Sequence, residues 1–395
     1  MAGSLATVVS AAAASSLRAA EAERKMRVAV IGHTGRGDYG HGIDKVWLRV
    51  PQAEIVAVAD PDDAGRVRAL KRLQVEAEGG FADYRKMLSV VKPDVVAIGP
   101  RHIDQHRDMA VAAAQFGALG IYIEKPFCRD LAEADAVVQA CEKSGTRLAI
   151  AHRNRYHPVL PVIKALLEDG AIGQFLEIRV RGKEDQRGGA LDLWVLGSHL
   201  LNLADYFAGS AVACSASLLQ DGRPVKKEDV VEGAEGIGLL AGNEVHARFE
   251  TQSGVQVFFD SVKGAGTREA GFGLQLIGNE GVIDIRADKE PLAHIRKGNP
   301  FLPKSASQLW MAITSAGIGK KEPITDIRAQ VAGHLAPAED LLAAIREKRA
   351  PLCSAKDGQV LVEMIMAVFE SHRLAGQRVA LPLKNREQNP LANLS

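Results

Sequence analysis

From Met26 onward, short β-branched runs alternate with helical segments, which is the pattern of a parallel sheet with crossover helices. Val28-Ala29-Val30-Ile31 reads as a first strand and Glu54 to Asp60 as a second. Asp94 to Ile98, Ile121 to Ile123 and Arg147 to Ala151 continue the series. The intervening spacing predicts helices over roughly Asp44 to Val50, Ala64 to Glu76, Asp108 to Phe116 and Leu131 to Lys143.

Past Ala151 the rhythm changes. Helices are expected from Val159 to Glu168 and from Leu191 to Phe207, with an alternating strand from Gln174 to Arg181 between them. Strands then dominate: Ala213 to Leu219, Val245 to Thr251, Val255 to Asp260, Phe272 to Ile277 and Val282 to Arg286. Ser253-Gly254 and Asn279-Glu280-Gly281 supply turns for two antiparallel hairpins. Two amphipathic helices, Ala338 to Lys348 and Gly358 to Ala375, close the pattern. The second half therefore reads as an open, mainly antiparallel sheet with helices on one face, and its other face invites a partner.

At 395 residues the chain is long enough for two domains. The expected division is a dinucleotide-binding domain over 26–151, a substrate-binding and oligomerisation domain over 152–383, and a C-terminal tail over 384–395. Residues 1–25, rich in Ala and Ser, resemble an export signal without its basic start, and equally suit a disordered tail before Met26. A cytoplasmic protein is expected, or a periplasmic one if that segment is a signal. A net charge of +1 leaves no footprint for nucleic acid or an acidic membrane. The four cysteines, Cys128, Cys141, Cys214 and Cys353, form no CxxC pair, and no metal site is expected.

The chemistry clusters at strand ends. Gly32-His33-Thr34-Gly35-Arg36-Gly37 follows the first strand, where a pyrophosphate is held by backbone amides that glycine lets approach closely. Gly32 and Gly37 fit the first and third positions of GxGxxG, while Thr34 stands at the second. Asp60, at the end of the second strand, suits the ribose hydroxyls of NAD, and no arginine immediately follows it to receive the extra phosphate of NADP. Glu124-Lys125-Pro126 ends the run Ile121-Tyr122-Ile123. Alternation sends the Glu124 and Lys125 side chains to opposite faces, which leaves the lysine free to move a proton beside a dinucleotide.

Together with Pro100-Arg101-His102 and Ala151-His152-Arg153-Asn154-Arg155-Tyr156, these motifs resemble the glucose-fructose oxidoreductase, inositol dehydrogenase and MocA family (Gfo/Idh/MocA) over nearly the whole chain from Met26 to about Leu383. The resemblance implies a Rossmann domain, a C-terminal α/β domain bearing the substrate, bound NAD(P), Lys125 in the catalytic position and a cis proline after it. It also implies an aspartate four residues before a histidine on a substrate-domain helix. His199 matches the histidine, but Val195 stands at the acid position, and Asp192, about two turns away, either replaces the acid or caps the helix. Lys125, His199 and Asp192 are thus the catalytic candidates. Gly32, Thr34, Gly35, Arg36, Gly37, Asp60, Pro100, His102, Glu124 and Lys125 are the cofactor candidates, and His152, Asn154, Tyr156, Lys183 and His199 are those for substrate. His106 is a further candidate for the nicotinamide pocket or equally a polar loop residue, and Glu184, Asp185 and Arg187 are either candidates for substrate hydroxyls or part of a solvated loop.

The expected activity is NAD-dependent interconversion of a secondary alcohol and a ketone on a sugar, sugar derivative or cyclitol, by a homodimer or homotetramer. A glycosidase that recycles NAD through oxidation and elimination would use the same residues. So would a non-catalytic dinucleotide sensor, for which Val195 speaks and Lys125 does not.

Overall fold

The computed structural model describes residues 24–266, 269–302 and 308–394. The signal-like reading of the first residues therefore falls almost wholly outside the described residues. No described helix is long and apolar enough to cross a membrane.

Six parallel strands form the first sheet: β1 (Met26–Ile31), β2 (Ala53–Ala59), β3 (Gly80–Phe81), β4 (Val95–Ile98), β5 (Gly120–Ile123) and β6 (Arg147–Ile150). Their order, β3-β2-β1-β4-β5-β6, is that of a doubly wound dinucleotide-binding domain, with a switch point between β1 and β4. Burial explains the sequence pattern. Val28 to Ile31 and Val95 to Ile98 are covered on both faces, so these strands are continuous apolar runs rather than alternating ones. The two-residue β3 and the helix Tyr84–Val91 carry too short a signal to stand out in the sequence.

Where a helix was expected over Asp44 to Val50, only a 3-10 turn, Lys45–Arg49, forms. A long turn thus separates β1 from β2. The better helices have readable caps. Asp62, Asp83 and Asp130 each accept from the first-turn amides of the helices Asp63–Leu73, Tyr84–Val91 and Leu131–Ser144.

The second domain is built on a large mixed sheet that includes β7 (Phe175–Arg181) and β8 (Ala211–Gln220). At its centre β7 runs parallel to Gln256–Val262 and antiparallel to Gly273–Gly278, and the other pairings are antiparallel. Strands Ala293–Lys297, Met311–Thr314 and Gly317–Ile318 extend one edge beyond what the sequence reading anticipated. Helices Ser198–Ala208 and Ala355–Arg373 pack on one face. On the other, Arg179 pairs with Glu177, and His246 with Glu244 and Asp260. A face so charged is compatible with water, which weakens the argument that it must be covered.

Two late segments return to the first domain. The helix Leu335–Glu347 inserts Ala338, Leu341 and Leu342 among Val30, Trp47 and Tyr122. The residues after Leu383 are packed down, with Arg386 bonded to Asp135 at 2.7 Å and Glu363 at 2.8 Å, and with Leu391 and Leu394 buried.

The helix expected over Leu191 to Phe207 is broken. It begins as Ala190–Asp192, widens into a π-turn at Leu193–Gly197 and continues as Ser198–Ala208. Gly197 permits the close packing, since a side chain there would stand 2.8 Å from the ring of Phe259. Such widened turns favour functional positions.

Candidate active site

β5 delivers Lys125 to a cleft between the domains, and the Lys125–Pro126 bond is cis. A cavity of about 100 Å³ there is lined by His41, Glu124, Lys125, Ala151, Arg153, Leu196, His199, Asp288 and His334. Lys125 is 9% exposed, and its Nζ donates to the Val195 carbonyl at 3.2 Å. Burial lowers the ammonium's pKa, while the nearby charge of Glu124 works against that fall. The position expected to bear an acid thus still meets the lysine, but through its main-chain oxygen.

Glu124 lines the same cavity as Lys125, so strand alternation does not carry past Ile123, where β5 ends. The Glu124 carboxylate accepts from the main-chain N–H groups of Lys125 and His41, each at 2.8 Å, and its Oε1 lies 2.6 Å from His41 Nδ1. Although burial opposes ionisation, the His41 contact and neighbouring positive charge hold the Glu124 pKa down at about 2. A side chain at Gly40 would strike this carboxylate at 2.6 Å, so the glycine lets the long turn after β1 lie against it. His41 is a cleft residue to which the sequence reading assigned no role.

His199 faces the lysine's cavity, and His152 stands behind it. Their Nδ1 atoms are 3.3 Å apart and the rings meet edge to face at 4.8 Å. Burial lowers both pKa values, that of His152 to about 3; the charge of Lys125 lowers both further, and His152 also lowers that of His199. One ring must supply the shared hydrogen and the other the lone pair, so His152 fixes the orientation of His199.

Asp192 lies elsewhere. It is fully buried, and its Oδ2 accepts from Ser261 Oγ at 2.7 Å and from the Glu184 amide at 2.9 Å. The π-turn intervenes between it and His199, and Asp192 pins the 182–188 loop to the strand Gln256–Val262 instead of lining the cleft. Lys183 pairs with Asp185 at 3.5 Å and does not line the cavity either. Asn154 exchanges hydrogen bonds with Asp288 at 3.2 and 3.3 Å, and Tyr156 is buried. Arg153, which the sequence placed beside His152 at the start of the second domain, lines the cavity and pairs with Asp288 at 2.8 Å; Asp288 and His334 line it too, and sequence spacing gave no sign of either because they come from distant loops.

At the carboxyl ends of β1 and β2, a second cavity of about 260 Å³ is bordered by Gly32, His33, Asp60, Pro61, Tyr84 and Arg85, among others. Asp60 there is fully buried. Its carboxylate accepts from the Thr34 amide at 3.1 Å, Thr34 Oγ1 at 2.7 Å, Tyr39 Oη at 2.8 Å and the Asp62 amide at 3.0 Å. It therefore ties the glycine turn to β2 and has little capacity left for ribose hydroxyls. Arg66 bonds the Asp60 carbonyl at 2.8 Å, placing a cation nearby that spacing along the chain did not suggest.

The turn still offers room for a dinucleotide. Gly35 (φ 79°) faces open space, and Gly37 (φ 85°) sits where a side chain would meet the Arg101 amide at 2.4 Å. Arg36 pairs with Asp104 and His33 Nδ1 lies 3.0 Å from Gln105, so the turn is braced against the loop after β4. In that loop Pro100 accepts from His106 Nε2 at 2.7 Å, while His102 caps a short 3-10 turn. His106 is thus a buried staple between two main-chain carbonyls, and it does not line the Lys125 cavity.

A doubly wound domain whose fifth strand ends at a buried lysine, facing histidines from an open-sheet domain, is a two-domain dinucleotide-binding architecture. Residues 26–152 match the model of the oxidoreductase family with an NAD-binding Rossmann fold. The first domain thus matches the Gfo/Idh/MocA family model.

D-apiose dehydrogenase of Paraburkholderia graminis is 30% identical over 211 residues, which are 50% of this chain and 54% of that protein. Levoglucosan dehydrogenase of Pseudarthrobacter phenanthrenivorans is 27% identical over 213 residues, 49% and 52% of the two chains. The match thus spans about half the length of these relatives. In fold the agreement is wider: levoglucosan dehydrogenase in its apo form superposes with a TM-score of 0.72 at 22% identity, covering 92% of this chain and all of the other.

Proposed function

We propose that this chain is an NAD-dependent oxidoreductase that interconverts a secondary alcohol and a ketone on a sugar, sugar derivative or cyclitol. The observation that carries the reading is Lys125, a buried amine whose pKa burial lowers, at the carboxyl edge of the sheet beside His199. The names of the relatives, apiose, levoglucosan and inositol dehydrogenases, support the substrate class. NAD, when bound, supplies the hydride acceptor.

The chain's own residues supply the proton path and the orientation. Lys125 Nζ, in its unprotonated form, accepts the hydroxyl proton as the carbinol is oxidised, and in the reverse direction returns it to the carbonyl oxygen. His199, kept neutral by burial and oriented by His152, presents a hydrogen-bonding nitrogen to the same substrate. Glu124 and His41 hold the turn after β1 against the cleft. Asp60 acts through Thr34 and Tyr39, fixing the glycine turn and adding a negative charge that disfavours the extra phosphate of NADP.

Screening apiose, levoglucosan and inositols for net NADH release tests the reading, with Lys125→Ala as control. A loss of at least about a hundredfold in turnover with NAD binding retained is expected. Turnover unchanged by that substitution overturns the role of Lys125. Glycoside cleavage without net NADH identifies the recycling chemistry instead.

A further inference from the structure

We infer that His334 is a substrate-contacting residue, its Nε2–H donating to a hydroxyl oxygen of the polyol held in the Lys125 cleft. The inference deepens the oxidoreductase reading and rests on it. His334 precedes the helix Leu335–Glu347, more than two hundred residues along the chain from Lys125, and lines the same cavity as Lys125, His199 and Arg153.

Its tautomer follows from its neighbour. Tyr122 Oη is fully buried and lies 2.6 Å from His334 Nδ1, its only hydrogen-bond partner among the described residues. Burial raises the phenol's pKa, so the phenol keeps its hydrogen, and Nδ1 is the acceptor at hand. His334 is itself held neutral, its pKa lowered to about 4 by burial. The remaining ring hydrogen must then sit on Nε2.

That Nε2 has no hydrogen-bond partner, although the residue is only 2% exposed. A buried donor left without a partner is costly, and the imidazole that carries it lines the cavity proposed for substrate. The backbone agrees: His334 adopts φ 62°, a left-handed conformation that a non-glycine residue holds only under constraint from its surroundings. Tyr122 acts through the imidazole and is a positioning residue. Its ring is anchored in the apolar layer beside Trp47, with centroids 6.2 Å apart.

The test compares wild type, His334→Phe, His334→Gln and Tyr122→Phe, using the polyol that wild type oxidises in the screen above. His334→Phe removes the donor, and kcat/KM is expected to fall about tenfold or more, chiefly through KM, with NADH affinity by calorimetry unchanged. His334→Gln keeps an N–H at the end of a side chain of similar reach and should recover part of the loss. Tyr122→Phe frees the other tautomer and should raise KM without altering the thermal midpoint as much as it alters KM.

Kinetics of His334→Phe equal to those of wild type overturn the inference alone. So does a His334→Gln variant as impaired as His334→Phe while both remain folded. A wild-type protein that neither oxidises nor, with NADH present, binds any polyol of the panel overturns the oxidoreductase reading and the inference with it.

Discussion

Lowering the pH from 7.5 to 5.0 should weaken folding through the cleft histidines, and one substitution isolates the effect. His152 and His334 have an ordinary pKa of 6.5, lowered in the fold to about 3 and about 4. A depressed folded-state pKa contributes stability that is present above 6.5 and lost as pH falls toward the folded value. At pH 5.0 the unfolded imidazoles are almost fully protonated and the buried ones almost wholly neutral, so linkage costs about 2 kcal/mol for each. Asp205 moves the other way. Its carboxyl is raised from 3.8 to about 6 by burial, so protonation of the fold returns roughly 1.5 kcal/mol over the same window. Glu124, held near 2, titrates below it. Urea denaturation followed by the buried Trp47 and Trp194 provides the assay, with wild type and His334→Gln measured at both pH values. The loss of stability between them should be smaller in the variant by about 2 kcal/mol, a difference from which Asp205 cancels. Equal pH dependence in the two proteins would refute a neutral, buried His334.

Tyr39→Phe removes a hydrogen bond to the buried Asp60 carboxylate and should cost about 1–3 kcal/mol while weakening NAD binding, as read by calorimetry; an unchanged denaturation midpoint would deny Asp60 its bracing role. NAD should bind more tightly than NADP, and Asp60→Ala should narrow the gap; tighter NADP binding by wild type would contradict the charge argument. His199→Ala should impair turnover, whereas Asp192→Asn should lower stability more than it alters kinetics in the folded fraction. A reversed pattern would place Asp192 in the cleft. Light scattering at micromolar protein is expected to show a dimer or tetramer, and a strictly monomeric mass would count against assembly.

Lys125 was legible in the sequence because a strand end is a local feature: an apolar run, a fixed alternation and the residue that follows it. The same holds for the glycine turn and for the succession along the chain of the first domain's strands other than β3, all set by patterns within about thirty residues of one another. Asp60 shows where locality stops. Its place at the end of β2 could be read from the chain, but the Thr34 and Tyr39 groups that saturate its oxygens arrive only once β1 and β2 lie side by side. The break in the helix around His199 was equally hidden, since the π-turn depends on Gly197 meeting Phe259 from a strand some sixty residues further along the chain. His334 and Asp288 bear no motif at all. His334 comes to Lys125 because the helix Leu335–Glu347 buries its apolar face on the first sheet, and Asp288 through its pairing with Arg153; burial of apolar surface is decided by the whole tertiary structure rather than by any one segment.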